Sequence, residues 1–264
     1  MTTTAVDTLV NFFMGKGIFR EFGIDTMRET YGWKGYDYSR TVEIKAISRR
    51  EFLAILQLSD PATETMVREA LRSVTDAQLS SLLSMAEEVV SKWGGIKSNS
   101  TETLKRYVQQ LNIEEERIPF SGIASRSKNL PIAFPDRYII LDARVVVALT
   151  AVQLLEPPDM GKLFPYMESR NSSISRAKPG AFLARPEYRR NRILSRYPNW
   201  TKQKRSSAYF EYLKLMRMAL VELTNTKPGV QLWDLEMALF WQATDLIHTL
   251  SEAETSALHD PKRV

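Results

Sequence analysis

The chain has 264 residues, enough to bury a sizeable core as one large domain or two smaller lobes. Hydrophobic residues make up 44% and charged residues 25%, and no apolar run approaches the roughly 20 residues that span a bilayer. Cysteine is absent, which excludes disulfides, a thiol nucleophile, thiolate zinc sites and cysteine-held iron–sulfur clusters; the two histidines, His248 and His259, argue against a histidine-rich metal centre. The formal charge of +5 points to a polyanionic partner if the excess is clustered.

Met1 to Asp7 lacks the charged start and apolar centre of a secretory signal, so a cytoplasmic protein is expected. Tyr31-Gly32-Trp33-Lys34-Gly35-Tyr36-Asp37-Tyr38 is dense in rings and glycines. Trp33 and Tyr36 can stack on an extruded base; a tight turn whose rings seal the N-terminal lobe is the simpler reading. Arg40 to Lys45, with Thr41, Val42 and Ile44, reads as a strand. Ser48 is placed to cap a helix over Arg49–Leu56, with Glu51 completing a capping box.

Thr75 to Val90 carries helical apolar spacing and stops near Trp93-Gly94-Gly95. Ser100 or Thr101 can cap a helix whose stripe is Leu104, Tyr107, Val108 and Leu111. Lys128 to Phe134 reads as a short helix ending near Pro135-Asp136, and Ala143 to Leu155 as a buried helix stopped by Pro157-Pro158. Ser206 to Leu223 repeats Tyr209, Leu213, Met216 and Leu220 on one face, and a last helix is predicted from Leu232 to Leu250.

The positive charge is concentrated between these elements. From Arg170 to Arg205 eleven Lys and Arg residues face one acid, Glu187, so the rest of the chain is net acidic. Phe182, Tyr188, Tyr197 and Trp200 are interleaved with them. That mixture suits phosphate contacts with base stacking better than a plain solvated face, and singles out Lys178, Arg185, Arg189, Arg190 and Arg192. A segment of roughly residues 160–205 is too long for an ordinary connection. The chain is expected to be mainly α, in two lobes of about residues 1–95 and 96–264, with this basic insertion in the second.

Two short stretches carry chemistry. Asp142 follows the apolar Tyr138-Ile139-Ile140-Leu141 and precedes the buried helix, so it can cap that helix. A carboxylate fixed there can also stabilise a sugar cation formed when an N-glycosidic bond breaks. Ser121 to Ser127 is rich in small and hydroxylated residues at a helix start, where backbone N–H groups can hold a phosphate. Lys128, at the expected helix start, reads more often as a phosphate contact or a solvated charge.

Gly122-Ile123-Ala124-Ser125-Arg126-Ser127-Lys128, then Phe134-Pro135-Asp136-Arg137-Tyr138, then Asp142-Ala143-Arg144-Val145, resembles the helix-hairpin-helix DNA glycosylase superfamily, most closely its bacterial 8-oxoguanine-glycosylase-like branch. Trp233-Asp234-Leu235-Glu236-Met237-Ala238-Leu239-Phe240-Trp241 is similar to that branch's final helix, and Trp93-Gly94-Gly95 fits its upstream turn. The hairpin departs from the family's pattern in placing Ala124 where a second glycine stands.

The resemblance implies a two-lobed helical glycosylase fold with Asp142 as catalytic aspartate and Lys128 near the lyase lysine of bifunctional members. It also implies Gly122, Ala124, Ser125, Arg126, Ser127 and Arg144 at the DNA backbone, and Trp233 and Phe240 beside the base. The expected partner is double-stranded DNA containing a modified base, bound by a monomer with no membrane, metal or cofactor. Excision of a bulky phage base such as glucosylated 5-hydroxymethylcytosine in antiviral defence is the leading expectation. Repair of 8-oxoguanine and a non-catalytic DNA-binding module are the alternatives.

Overall fold

The computed structural model describes residues 2–162, 164, 165, 167, 169, 174 and 207–259, and side chains as far as 252. Lys178, Arg185, Arg189, Arg190 and Arg192, with nearly all of the expected basic insertion, lie outside the described residues. Ten α-helices carry the described chain: α1 (Ala5–Phe13), α2 (Ile24–Thr30), α3 (Tyr38–Ile55), α4 (Glu64–Arg72), α5 (Asp76–Glu87), α6 (Thr101–Gln109), α7 (Ile123–Ala133), α8 (Ala143–Leu155), α9 (Ala208–Thr224) and α10 (Leu232–His259). Among the described residues there is no strand, only isolated bridges at Thr4–Met160 and Trp33–Tyr36. The mainly α expectation holds.

The chain forms two compact units. The first joins Met1–Tyr31 to Leu141–Val264, and the second is Gly32–Ile140. The boundary expected near residue 95 falls inside the second unit, because the N-terminal helices pair with the C-terminal ones rather than with their sequence neighbours.

In the first unit α8 is the hub. Ala143 and every residue from Val145 to Leu154 are buried, so the helix is covered on all sides. Its valines cost some helix propensity, roughly 0.5 kcal/mol each. Burying each side chain contributes about 1.5–3 kcal/mol, so packing decides. α10 and α1 pack against α8, α9 packs against α1 and α10, and α2 against α10. The two polar residues of the buried stretch are satisfied internally. Thr150 donates to the Val146 carbonyl, and Gln153 exchanges hydrogen bonds with the Lys162 backbone at 2.7 and 2.6 Å.

α1 is set by Thr4, which caps it in a reciprocal pair with Asp7, and its apolar stripe buries Leu9, Phe12 and Phe13. Phe12 meets Phe19 edge-on at 5.6 Å and Phe22 at 6.3 Å. Gly23 then turns the chain into α2 at φ +99°, where a Cβ would lie 2.8 Å from the Phe13 carbonyl. Its N–H and C=O are both taken by the buried Gln242 amide of α10 at 3.0 Å. Asp234, fully buried near the start of α10, pairs with Arg28 of α2 at 2.8 Å.

In the second unit α3 runs unbroken from Tyr38, capped by Asp37, whose side chain accepts from Arg40 N at 2.7 Å. Two expectations fail here. Arg40–Lys45 is helical, not a strand, and Ser48 lies mid-helix rather than at a cap. The Asp37 cap and the Arg40–Glu43 ion pair one turn apart support the first turns, which outweighs the β-branched Thr41, Val42 and Ile44.

α5 begins at its Thr75 cap and continues into a π-helical turn, Glu88–Trp93, that stops at Gly94 as expected. α6 is capped by Ser100 and buries Leu104, Tyr107 and Val108. Arg137 ties the buried Glu115 (3.1 Å) to Glu64 (2.5 Å). Burial pushes the Glu64 carboxyl up, but Arg68 and Arg137 more than reverse this and hold it below its usual range.

Replacing Gln242 by Leu strands both backbone groups of Gly23 and is expected to lower stability by about 2–4 kcal/mol. Urea unfolding measures this; an unchanged midpoint would show that this side-chain clasp is dispensable.

Candidate functional site

Asp142 stands where a buried chain meets a buried helix. Ile139, Ile140 and Leu141 before it are at most 5% exposed, and α8 behind it is enclosed, yet Asp142 itself is only partly buried. Its backbone is extended (φ −132°, ψ −176°), which turns the side chain back onto the helix start. Oδ1 accepts from Arg144 N at 3.0 Å and Val145 N at 3.2 Å. The capping expectation is met, and the carboxylate is fixed at the positive end of the α8 dipole.

Arg144 extends the site toward α10. Its guanidinium lies over the Phe240 ring at 5.2 Å, with Nη1 3.5 Å from the Phe240 carbonyl. Phe240 and Trp233 are half-buried, and the Trp233 indole N–H is buried without a hydrogen-bond acceptor. Two further polar side chains of the first unit, not singled out by the sequence, are buried. Tyr212 of α9 is fully buried beside Tyr209 (rings 6.2 Å apart), edge-on to Phe164. Glu236 of α10 is 4% exposed. Burial pushes the Tyr212 hydroxyl well above its usual range, and Glu236, Tyr209 and Asp142 push it further. An acid inside the otherwise apolar Leu235–Leu239 run was the signal that could have found Glu236.

The hairpin residues belong to the second unit. Gly122 takes a left-handed conformation (φ +71°) at the start of α7, with no side-chain cap. A Cβ there would collide with the Tyr107 hydroxyl. α7 begins at Ile123, five residues earlier than expected, so Lys128 lies in the second turn rather than at a helix start. Ser125, Arg126, Ser127 and Lys128 are all buried, at 5%, 4%, 0% and 6% exposure, whereas Gly122 is exposed and Ala124 partly so.

Ser125, Arg126 and Lys128 each have a structural setting. Ser125 Oγ accepts from Asn99 at 2.9 Å. Arg126 lies over the Tyr107 ring at 5.0 Å and donates to the Pro119 carbonyl; burial, then Arg106, lowers its pKa. The Lys128 stem covers Gly94, where a Cβ would come within 2.6 Å of its Cδ and Cε. Trp33 and Tyr36 flank a tight turn with positive φ at Lys34 (52°) and Gly35 (81°), closed by Tyr36 N on the Trp33 carbonyl at 3.0 Å. Lys34 Nζ donates to the Lys92 carbonyl at 2.7 Å; Trp33 is half-buried and Tyr36 exposed.

The first unit thus holds Asp142, Arg144, Trp233 and Phe240, and the second holds Trp33, Tyr36, the hairpin residues and Lys128. Among the described residues no group of three or more His, Asp or Glu side chains is arranged to hold a metal ion, and no helix is long and apolar enough to cross a membrane. Comparison with protein-family models, with curated proteins and with solved structures returned no match to this chain.

Asp142→Ala removes the cap and is expected to cost about 1 kcal/mol, whereas Asp142→Asn, which still accepts from the α8 amides, costs only a few tenths. Thermal melts of the two variants give the difference; equal losses would mean that the charge, not the cap, supports the fold. Gly122→Ala is strained at its positive φ and crowds Tyr107, so a loss of roughly 1–3 kcal/mol is expected in the same assay.

Proposed function

We propose that this chain is a DNA glycosylase that extrudes a modified nucleotide from duplex DNA and hydrolyses its N-glycosidic bond. The observation that carries the reading is Asp142. It is a carboxylate locked by two backbone N–H groups at the start of a buried helix, and it is itself only partly buried. When the bond breaks, its electron pair leaves with the base and positive charge develops on the sugar. A preorganised carboxylate stabilises that charge without having to move. Water then adds at the anomeric carbon, giving up a proton that neutralises the departed base, and leaves an abasic site.

The half-buried Trp233 and Phe240, with Arg144 over the Phe240 ring, supply a stacking surface in the same unit for the extruded base. The exposed Gly122 turn supports a backbone grip on phosphate, made by main-chain N–H groups rather than by the buried Ser125–Lys128 side chains. The buried Lys128 amine, its stem packed on Gly94, favours hydrolysis over Schiff-base strand cleavage. The basic segment from Arg170 to Arg205 supplies non-specific affinity for the duplex. The favoured substrate is a bulky modified base such as glucosylated 5-hydroxymethylcytosine in phage DNA, with 8-oxoguanine as the alternative.

Incubation with duplexes carrying each of these bases is expected to release free base from one and leave abasic sites that break only with added alkali. Asp142→Asn is expected to slow release by roughly 10²–10³-fold while duplex affinity is kept. Base release by Asp142→Asn at the wild-type rate would sink the assignment and leave a DNA-binding module. Duplex affinity that does not fall as salt rises would sink that as well.

A further inference from the structure

A cleft in the second unit has no part in the chemistry assigned to Asp142. Phe52 of α3, Leu82 and Met85 of α5, Val108 of α6, and Asn129 and Ile132 of α7 line it. Counted out to bulk solvent it holds about 240 Å³, and its enclosed end has room for one water-sized group. Phe52, Leu82 and Val108 are buried and close the floor, while Met85 and Ile132 are half-buried and form the mouth.

Among the described residues that line the cleft, Asn129 is the one polar side chain. It is 5% exposed, and its Nδ2 is buried with no hydrogen-bond acceptor. Buried donors are rarely left so, because the lost hydration is not replaced. A leucine at this position would remove the orphan donor and fill the space. The amide by itself therefore costs stability, and a group that accepts from Nδ2 offsets that cost.

The walls decide which group that is. Water needs two to four polar partners, and apolar walls with one amide give it too few. A carboxylate or phosphate would be buried with no cation among the lining side chains, and a second donor would face the donor already there. A carbonyl oxygen accepts from Nδ2 and has no proton of its own to place. The rest of such a molecule meets Met85 and Ile132, and Met85, unbranched and adaptable, can move to fit it.

We infer that this cleft is a binding site for a small, uncharged, mainly apolar molecule that enters carbonyl first and accepts a hydrogen bond from Asn129 Nδ2. All its lining residues belong to the second unit and Asp142 to the first, so the site does not depend on what Asp142 does.

The test titrates the isotope-labelled full chain with acetone and with isobutene, which share a shape but differ in the acceptor oxygen. NMR follows the Asn129 side-chain amide and the methyl groups of Leu82, Met85 and Ile132. Acetone is expected to move these signals along a saturating curve, half-complete at roughly millimolar concentration for so small a ligand, and to shift the Asn129 amide protons downfield. Isobutene should bind roughly fivefold more weakly, the worth of one hydrogen bond, and leave the amide protons in place. Ala86→Leu, which fills the cleft from the α5 wall, should abolish saturation by both. Asn129→Ala, which keeps the space and removes the donor, should bring the two affinities together. Thermal melts check that each variant folds.

Wild-type shifts that stay linear with acetone concentration, or that are no larger at the cleft than elsewhere, overturn the proposal. So does a water molecule that stays in contact with the Asn129 amide at every acetone concentration, which would make the cleft a hydration site. Equal wild-type affinities for acetone and isobutene overturn the part given to Asn129. If Ala86→Leu does not fold, the ratio of the two affinities in wild type and in Asn129→Ala still decides the matter.

Discussion

A helix enclosed on every side still has to satisfy the N–H groups of its first turn, and α8 meets that demand with Asp142. Its body can be apolar throughout because its backbone groups pair internally, but its first N–H groups have no such partner. The Asp142 carboxylate accepts from two of them, Arg144 N and Val145 N. A carboxylate is the strongest side-chain acceptor for this position. The result is a charge that the fold holds rigidly at the edge of its own core. α10 and α1 pack on the helix that Asp142 starts, and Arg144 anchors its first turn to Phe240.

The first unit is assembled from the two ends of the described chain. Gln242 clasps Gly23, Arg28 meets Asp234, Lys227 meets Asp25, and Thr4 bridges Met160. Each joins residues far apart in sequence. The second unit is built from one continuous segment and relies on shorter-range devices: successive caps at Asp37, Thr63, Thr75 and Ser100, and the Glu64–Arg137–Glu115 ion pairs. The candidate chemistry sits in the unit held by long-range contacts, where position depends on the whole fold.

The helices read correctly from sequence are those whose signals are local. Thr75, Ser100 and Asp142 are caps with an apolar stripe behind them, and α8 matches its expected limits at both ends. α1 carried the same kind of signal in Thr4 and Asp7 and was passed over. Arg40–Lys45 misled because β-branched residues favour strands only where a sheet awaits them, and a single capped helix passes through the segment instead. At the site, Asp142 was legible because a cap and a candidate catalytic carboxylate share one pattern. The burial of Glu236 and Tyr212 was not, since nothing in their own neighbourhoods says which surfaces cover them.

The chain's own order of residues thus determines a mainly helical protein, most of its caps, a concentrated basic segment and the place of Asp142, all consequences of chemistry within a few residues. Tertiary structure alone decided that residues 1–31 belong with the C-terminal helices, that Lys128 and its neighbours are buried, and that Glu236 and Tyr212 are buried. The physical reason is common to all three. Burial and electrostatic coupling depend on which surfaces meet in space, and an apolar stripe states only that a helix needs a partner, not which partner it finds.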